Sequence, residues 1–321
     1  MNAGDDRRGQ GPAAGGAAAG IGEPRPAASE RAELLVEMLP YISRWRGKVM
    51  VVKFGGSAMV DAALTDGFAA DMVLLRQIGL APVVVHGGGP QIGELMARLG
   101  KTSEFRDGLR VTDAETLDIA RMVLVGKVNR DIVGAINVHG PLAVGISGED
   151  GRVITATARN PELGFVGEVT DVNTDLLERL LAEGLIPVIS TIGADTKGQA
   201  YNINADTVAG AVASALEAEK VVYLTDVAGL LDDVDDPGSL VRRTTADSLA
   251  ARLRTGRVAG GMIPKIEACI SAVRGGVNSA HLLDGRVRHV VLAELFTDEG
   301  VGTMITADRP AGRRGHQLNS P

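Results

Sequence analysis

Short apolar runs rich in β-branched residues alternate along this chain with amphipathic runs of helical periodicity. A strand that is apolar on both sides must be covered on both sides, so the alternation predicts a mainly parallel sheet between two layers of helices. With 321 residues, the chain is long enough for one large α/β domain or for two lobes. The predicted strands are residues 49–54, 81–85, 142–146, 185–190, 220–224 and 279–283.

The runs between these strands place apolar residues three and four positions apart, which indicates helices with one buried face. Residues 151–172 instead contain β-branched residues between turn signals and predict an antiparallel hairpin. We expect a boundary between two lobes near residues 190–205. The predicted helices are residues 62–77, 91–99, 113–136, 173–183, 206–217 and 264–274.

The two ends of the chain differ from this body in composition. Residues 1–28 are rich in Gly, Ala and Pro without a continuous apolar stretch, so they predict a disordered tail and not a signal peptide. Ser29 can cap a helix over residues 29–47, in which Pro40 should produce a kink. A second flexible tail is expected over residues 307–321.

Charge and cysteine content exclude several classes of protein. The formal net charge of −7 argues against nucleic-acid binding, which needs a basic face. No apolar stretch approaches the length of a transmembrane helix, which argues against a membrane protein. A single cysteine, Cys269, cannot form a disulfide within the chain. Together these features favour a cytoplasmic enzyme.

Glycine turns follow the first two predicted strands. Lys53 lies near the carboxyl end of the first strand, followed by Gly55 and Gly56, and the second strand leads through His86 into the glycine run 87–89. A fixed cation beside bare backbone N–H groups suits a phosphate group. Neither turn has the spacing of a P-loop or of the dinucleotide-binding fingerprint, so both of these site types are excluded.

Two further polar clusters precede predicted helices. Asn202, Asn204 and Asp206 lie before the helical run from residue 206, where helix capping alone could explain them. Lys265 follows Pro264 and a pair of glycines, a pattern that is weak by itself.

Taken together, these clusters resemble the amino acid kinase family, most closely its acetylglutamate-phosphorylating members, over residues 32–306. The motifs that carry the resemblance are VVKFGG, VVVHGGGPQI, DGLRVTD, YNINAD, VVYLTDVAGLL and GGMIPK, in this order. The resemblance implies an open, mainly parallel eight-stranded sheet between helix layers. It also implies an acetylglutamate-binding N-lobe over residues 48–195 and an ATP-binding C-lobe over residues 196–306.

The implied activity is transfer of a phosphoryl group from ATP, with Mg²⁺, to the side-chain carboxylate of N-acetyl-L-glutamate, the second step of arginine biosynthesis. Because that carboxylate is ionised at neutral pH, it needs no general base, and His86 is interpreted as a structural or orienting residue. No set of side chains has the spacing of metal ligands, so Mg²⁺ is expected to bind through the ATP phosphates.

The resemblance assigns a role to each matching residue. Lys53 and Lys265 would stabilise the transferring phosphoryl group, and Asp206 would hold both lysines. Gly55, Gly56, Gly88 and Gly89 would present N–H groups to the phosphate and the acceptor, and Arg110 and Asn202 would bind the acceptor's α-carboxylate. The implied nucleotide contacts are Thr225, Asp226, Gly229, Leu230, Leu231, Val258, Gly260 and Met262.

The helix predicted over residues 29–47 resembles the extension of the hexameric, arginine-sensitive members. That likeness implies a homohexamer, a trimer of dimers, that L-arginine inhibits by feedback, with Tyr41, His281 and Glu294 lining the arginine site. A solvated Glu294 and a helix that serves only oligomerisation are the alternative. Binding of a nitrogen-signalling PII protein is left open.

The same family and fold also include proteins with other functions. The DGLRVTD segment matches acetylglutamate recognition rather than the nucleotide pocket of a uridylate kinase. The remaining alternatives are another carboxylate kinase or a carbamate kinase of the same family, and a catalytically silent arginine-sensing scaffold of the same fold. Retention of both lysines and Asp206 argues against the scaffold.

Overall fold

The computed structural model describes residues 28–106, 108–233, 235–258, 260–298 and 300–308, without the side chains of Arg31, Ser57 and Pro237. The predicted tails over residues 1–28 and 307–321 therefore lie, except for Ala28, Ala307 and Asp308, outside the described residues. Of the described residues, 28–39 belong to one unit of the chain, and those from Pro40 onward form a second, compact unit.

Fourteen strands are assigned in the described residues, and eight of them form the central sheet. The strands are β1 (Val49–Phe54), β2 (Ala81–His86), β3 (Phe105–Arg106), β4 (Leu109–Arg110), β5 (Ala143–Ser147), β6 (Ile154–Ala158), β7 (Val166–Val172), β8 (Ile186–Ser190), β9 (Ile192–Ala194), β10 (Ala200–Ile203), β11 (Lys220–Thr225), β12 (Arg243–Thr245), β13 (Ser279–Asp284) and β14 (Thr303–Thr306).

The order of the central sheet is β12-β14-β13-β11-β1-β2-β8-β5. All neighbours pair in parallel except β13 and β14, which pair antiparallel. The eight-stranded, mainly parallel sheet is therefore confirmed, and all six predicted strands belong to it. The neighbouring strands β12 and β14 at one end of the sheet were not predicted, because they are only three and four residues long.

The predicted hairpin over residues 151–172 is confirmed as the antiparallel pair β6 and β7. Together with β9 and β10, these strands close into a small four-stranded barrel. Residues of β7 and β10 reach the rim of the cleft that is described below.

Eleven α-helices are assigned in the described residues. They are α1 (Ala28–Glu37), α2 (Leu39–Trp45), α3 (Ala62–Gln77), α4 (Gly89–Arg98), α5 (Ala114–Arg121), α6 (Asn129–Asn137), α7 (Asp175–Ala182), α8 (Ala205–Ala215), α9 (Ala246–Arg254), α10 (Met262–Arg274) and α11 (Val290–Leu295).

Two predicted helices differ in detail from what is observed. The helix predicted over residues 29–47 is interrupted at Met38, so that Pro40 falls in the first turn of α2, where a missing N–H costs little. The helix predicted over residues 113–136 is continuous, but its middle, Met122–Val128, is a π-helix that joins α5 to α6. None of the helices in the described ranges has the length and apolarity needed to span a bilayer.

The central strands are apolar on both sides, and each side packs against its own helices. Val52 and Phe54 of β1 belong to one core cluster, with residues of α3 and α6. Val51 belongs to the other cluster, with residues of α8 and α10. Because side chains alternate along a strand, Lys53 shares the side of Val51 and extends toward α8. This alternation decides which helices can contact the lysine.

Candidate active site

The carboxyl ends of β1, β2 and β11 lie side by side in the middle of the sheet. Lys53 is in register with Val85 of β2 and with Tyr223 of β11. Ligands of open α/β sheets bind outside such strand ends. The glycine turns that follow β1 and β2 therefore share one edge of the sheet, as the sequence predicted.

Asp206 joins the two predicted lysines. It lies in the first turn of α8, and its Oδ1 is 3.2 Å from Lys53 Nζ. Its Oδ2 accepts a hydrogen bond of 2.9 Å from Lys265 Nζ in α10. One carboxylate thus separates two ammonium groups from different elements. Lys53 and Asp206 are buried, whereas the Lys265 side chain is partly exposed.

Burial and charge act in opposite directions on this cluster. Burial lowers the pKa of Lys53, Asp206 opposes that lowering, and Lys265 adds to it. Burial alone would raise the pKa of Asp206, but attraction to Lys53 and Lys265 outweighs it and holds the pKa below the ordinary value. The carboxylate is therefore ionised at neutral pH and attracts both cations.

The turn after β1 needs glycine for two separate reasons. A β-carbon at Gly55 would lie 2.7 Å from Lys53 Nζ, so any side chain there would displace the ammonium group. Gly56 has a φ of +73°, and a β-carbon there would lie 2.6 Å from a carboxylate oxygen of Asp226. Asp226, which follows β11, thus packs directly against this turn.

The turn after β2 leads straight into a helix. Gly88 is the N-cap residue of α4, and Pro90 occupies its first turn, where proline is favoured. The N–H groups of such a helix start have no partner within the helix and attract anions. A β-carbon at Gly88 would lie 2.7 Å from Leu124 and 3.2 Å from Val128, so a side chain at this position would collide with the π-helix.

His86 is held as a structural residue. It is fully buried, its Nδ1 lies 2.9 Å from the carbonyl oxygen of Gly87, and its Nε2 lies 3.1 Å from Asn129 Nδ2. Since the carbonyl and the amide N–H₂ can only accept and donate respectively, Nδ1 carries the proton. Burial lowers the pKa of His86 to about 4. The neutral ring has no free nitrogen to act as a base.

Arg110 and Asn202 both line the cleft beside the lysine cluster. Arg110 Nη2 donates to the carbonyl oxygen of Gly89 at 2.8 Å, and its guanidinium stacks 4.7 Å from the centre of the Phe105 ring. Burial lowers the pKa of Arg110. Asn202 Nδ2 lies 3.4 Å from Thr112 Oγ1. The fork of Arg110 is therefore held in place at the rim of the cleft.

An open cleft of about 210 Å³ brings the predicted acceptor residues together. Besides glycine and polar residues, its wall contains the apolar side chains of Ile92, Phe105, Leu109, Leu124 and Val166. The predicted site residues that line it are Lys53, Gly55, Gly56, Gly88, Gly89, Arg110, Asn202 and Asp206.

Lys265 and the eight predicted nucleotide residues lie outside the lining of this cleft. Thr225 ends β11, and Met262 begins α10, three residues before Lys265. Gly229 has a φ of +151°, and a β-carbon there would lie 2.6 Å from Thr303 Oγ1. The same Thr303 hydroxyl accepts a hydrogen bond of 2.9 Å from the N–H of Leu230. The remaining predicted residues of this group are Asp226, Leu231, Val258 and Gly260.

The three residues predicted to bind arginine lie away from the cleft. His281 Nδ1 is 2.8 Å from Glu294 Oε1, and both side chains are buried. His281 Nε2 accepts from Lys220 Nζ, 2.7 Å away, a contact that the sequence did not suggest. Burial lowers the pKa of Lys220 to about 8. Tyr41 donates a hydrogen bond of 2.9 Å to Asp298 and packs its ring edge against Phe296.

Several cleft residues were missed as site residues. Asn204 was interpreted only as a cap, and it does accept from the N–H groups of Asp206 and Thr207. The helix-cap pattern could have shown that Asn204 fixes the position of Asp206 in the first turn of the helix. Phe105 and Leu124 carry no local signal, because their roles depend on contacts distant in sequence.

Among the described residues, no group of three or more His, Cys, Asp or Glu side chains is arranged to hold a metal ion.

Relatives of known identity match nearly the whole chain. The acetylglutamate kinase of Methanocaldococcus jannaschii is 50% identical over 291 residues, which cover 87% of this chain and 97% of that protein. The acetylglutamate kinase of Saccharopolyspora erythraea is 54% identical over 292 residues, or 89% of this chain and 95% of that protein.

Solved structures give the same picture of the fold. An N-acetylglutamate synthase from Neisseria gonorrhoeae, in complex with coenzyme A and N-acetyl-glutamate, matches with a TM-score of 0.76 and 28% identity, over 87% of this chain and 64% of that chain. A carbamate kinase from Giardia lamblia matches with a TM-score of 0.59 at 16% identity, a likeness of fold alone.

A protein-family model matches a range that includes seven of the eight strands of the central sheet and both glycine turns. The model of the amino acid kinase family matches residues 48–284, which include Lys53, Arg110, Asp206 and Lys265. This match, with the identities above and the eight-stranded sheet, shows that the chain belongs to the amino acid kinase family.

Proposed function

We infer that the chain transfers the γ-phosphoryl group of ATP to the side-chain carboxylate of N-acetyl-L-glutamate, giving N-acetylglutamyl phosphate and ADP. The observation that carries this inference is the Lys53–Asp206–Lys265 cluster at the edge of the cleft, in a chain that is half identical to acetylglutamate kinases over nearly their full length. As a biosynthetic enzyme that uses ATP, it would act in the cytoplasm.

The chemistry of the reaction fits a site without a general base. An oxygen of the acceptor carboxylate forms a bond to the γ-phosphorus, the bond from that phosphorus to the bridging oxygen of ADP breaks, and no proton has to move. The carboxylate has an ordinary pKa of about 4.3 and is already ionised at neutral pH. The obstacle is repulsion between anions, together with the charge on the phosphoryl oxygens in the transition state.

Lys53 and Lys265 are suited to remove that obstacle. We propose that both ammonium groups face the transferring phosphoryl group, with Asp206 setting their separation. The N–H groups of Gly55, Gly56, Gly88 and Gly89 would complete the anion site in the absence of β-carbons. Cations and N–H dipoles that are already in position need no reorganisation when the charge develops.

Recognition of the acceptor needs a second anion site. We propose that Arg110 and Asn202 bind the α-carboxylate, because a guanidinium fork can form two parallel hydrogen bonds to a carboxylate. Phe105 and Gly89 hold that fork in place. The two anion sites would then fix both ends of a dicarboxylic acceptor.

We propose that the nucleotide binds near the end of β11 and the start of α10, where the eight predicted nucleotide residues lie. Mg²⁺ fits this site only as an ion carried by the nucleotide, because both oxygens of Asp206 contact lysines and the described residues offer no group of three metal ligands. Bound in that way, Mg²⁺ would neutralise phosphate charge.

We further propose that L-arginine inhibits the enzyme at the cluster of Tyr41, His281 and Glu294, in a homohexamer built as a trimer of dimers. The support is chemical: Glu294 offers a buried carboxylate for a guanidinium or an α-ammonium group, and an aromatic ring lies on the neighbouring α2. Two structures of the Neisseria gonorrhoeae synthase were solved with different ligands, and one of them contains L-arginine.

A coupled assay of ADP release tests the proposed function. The full chain would receive Mg·ATP with N-acetyl-L-glutamate, L-glutamate, L-aspartate, carbamate or UMP as the acceptor. We expect the highest kcat/KM with N-acetyl-L-glutamate and formation of an acyl phosphate that hydroxylamine traps. A higher kcat/KM with carbamate or with another carboxylate than with N-acetyl-L-glutamate would identify the chain as another kinase of the family. No turnover with any acceptor would favour a catalytically silent scaffold.

A further inference from the structure

The long helix between β4 and β5 changes its hydrogen-bond pattern in the middle. Met122–Val128 is π-helical, whereas α5 before it and α6 after it are α-helical. The N–H of Asn129 accordingly donates to the carbonyl oxygen of Leu124, five residues earlier. Such turns are rare and occur frequently at functional sites. The extra residue in this turn changes which side chains face the sheet.

The π-helix is fixed to the sheet at its C-terminal end. Asn129 Nδ2 donates to the carbonyl oxygen of Val188 at 2.8 Å and lies 3.1 Å from Nε2 of the neutral His86. Both partners are buried residues of central strands. The position of the π-helix is therefore set by the strands that end at the cleft.

Leu124 of the π-helix forms part of the cleft wall. Its side chain is nearly covered, and its Cδ2 lies 2.7 Å from the place that a β-carbon of Gly88 would occupy. Leu124 therefore packs directly against the backbone of the glycine turn that lines the cleft. Leu124 occupies the space that a side chain at Gly88 would need, and Asn129 ties the C-terminal end of the π-helix to the sheet.

The proposed acceptor has one apolar group, the methyl of its N-acetyl group, which neither of the two anion sites can bind. Lys53 with the glycine turns would take the side-chain carboxylate, and Arg110 with Asn202 would take the α-carboxylate. The methyl of the N-acetyl group would then lie against the apolar wall. If it lay against polar groups instead, it would shield them from water and leave them without hydrogen-bond partners. Leu124 is the part of that wall that touches Gly88.

We propose that the π-helix holds Leu124 as the residue that limits the size of the acceptor's N-acyl group. This inference rests on the proposed kinase activity and adds a specificity-determining residue to it. A smaller side chain at position 124 should admit a longer acyl group, and a larger one should exclude even the acetyl group. A purely structural role predicts no such opposite effects.

The test compares N-formyl-, N-acetyl-, N-propionyl- and N-butyryl-L-glutamate as acceptors for the full chain and two variants. In Leu124→Ala, we expect the ratio of kcat/KM for N-propionyl over N-acetyl to rise roughly ten- to hundredfold, as one methylene in an apolar pocket allows. In Leu124→Phe, we expect the ratio of N-formyl over N-acetyl to rise instead. KM for ATP should stay unchanged in both.

Met122→Ala is the matched control, because Met122 lies on the same π-helix but is exposed. It should leave every acyl ratio as in the parent. If Leu124→Ala does not fold, Leu124→Val supplies the same test with a smaller cavity. Acyl ratios that stay constant in the Leu124 variants, or that move equally in Met122→Ala, would overturn the inference.

The two proposals fail in different ways. If the chain is not an acetylglutamate kinase, the unaltered protein phosphorylates no N-acyl-glutamate of the series. If only the role of Leu124 is wrong, the unaltered protein turns over N-acetyl-L-glutamate, but both variants lose activity toward all acyl groups in proportion.

Discussion

At the residue scale, the two lysines that share Asp206 make the sharpest kinetic prediction. Lys53→Ala and Lys265→Ala should each lower kcat on the order of 10²–10³-fold, because each removes one positioned cation from the transition state. KM for N-acetyl-L-glutamate should change far less, since the acceptor is held mainly elsewhere. Steady-state kinetics with both substrates varied would measure this.

Lys48→Ala provides the control for the loss of a lysine. Lys48 precedes β1, its side chain is about half exposed, and it pairs with Glu219 at 3.2 Å on the protein surface. Its removal should leave kcat unchanged. A kcat near that of the parent in Lys53→Ala or Lys265→Ala would remove that lysine from the catalytic group.

His86 makes a prediction about stability and pH. Burial lowers its pKa in the folded protein to about 4, against an ordinary value of 6.5. As the pH falls from about 6.5 toward 4, the imidazole of His86 binds a proton in the unfolded chain but not in the folded protein. The free energy of unfolding should therefore fall over this window, by about 3 kcal/mol from this group, and His86→Gln should remove that part.

Asp71 acts in the opposite sense, so the measurement must compare variants. Burial raises the pKa of Asp71 to about 6, although its contact with His289 opposes this. Its contribution to stability therefore grows as the pH falls below about 6. Urea unfolding at several pH values would be run for the parent, His86→Gln and the exposed control His139→Gln. Parallel curves for all three would contradict the prediction.

At the scale of elements, the start of α8 determines the position of Asp206. The Asn204 side chain accepts from the N–H groups of Asp206 and Thr207 at 2.8 and 3.1 Å. Asn204→Ala should reduce the free energy of unfolding by about 1 kcal/mol, as loss of a helix cap does. Because the first turn of α8 also loosens, kcat should fall as well.

The control for this prediction is a cap without a role in the site. Thr245 caps α9 through a hydrogen bond of 3.3 Å from the N–H of Ser248. Thr245→Ala should cost a similar amount of stability and leave kcat unchanged. Chemical denaturation and initial rates would be measured on the same preparations. An Asn204→Ala enzyme that is destabilised but fully active would show that the helix cap does not contribute to catalysis.

At the scale of the whole molecule, the proposed arginine site and the cleft have no residue in common. Lys220 begins β11 and contacts His281, whereas Thr225 ends it one residue before Asp226, which packs against the glycine turn of the cleft. A six-residue strand spans about 20 Å. Arginine can therefore slow catalysis only by favouring a different arrangement of the protein.

We expect arginine to inhibit at millimolar concentrations or below when N-acetyl-L-glutamate is subsaturating. Glu294→Gln should relieve this inhibition with little change in kcat, because it removes the charge that a guanidinium requires. The exposed Glu267→Gln is the control and should remain sensitive. An intact enzyme that saturating arginine fails to inhibit would end this proposal and leave the kinase activity standing.

The N-terminal segment supplies the second part of this prediction. Deletion of residues 1–39 should abolish both the hexamer and the sensitivity to arginine, as light scattering and inhibition assays would measure. The deletion spares Trp45, which is buried and donates a hydrogen bond of 3.0 Å to the carbonyl oxygen of Leu295. A hexamer that survives the deletion would contradict the proposed role of this segment.

The sequence by itself determined the central strands, most helices and the two glycine turns. Hydrophobic periodicity and backbone sterics act over a few residues, so apolar runs such as 49–54 and 220–224 could be assigned locally. Parallel strands end at the same edge of a sheet, which placed Lys53 and the glycine run 87–89 together. Family motifs then pointed to Asp206 and Lys265 as their companions.

Only the tertiary structure decided how these residues meet. Asp206 contacts both lysines because α8 packs on β1 and α10 packs on α8, and no local sequence pattern contains this arrangement. The same holds for Lys220, which joins His281 across neighbouring strands, and for Leu124, whose direction depends on a π-helix inside an otherwise regular helical pattern. Contacts between distant segments are set by the packed core, because each local segment is compatible with several partners until the sheet and helices assemble.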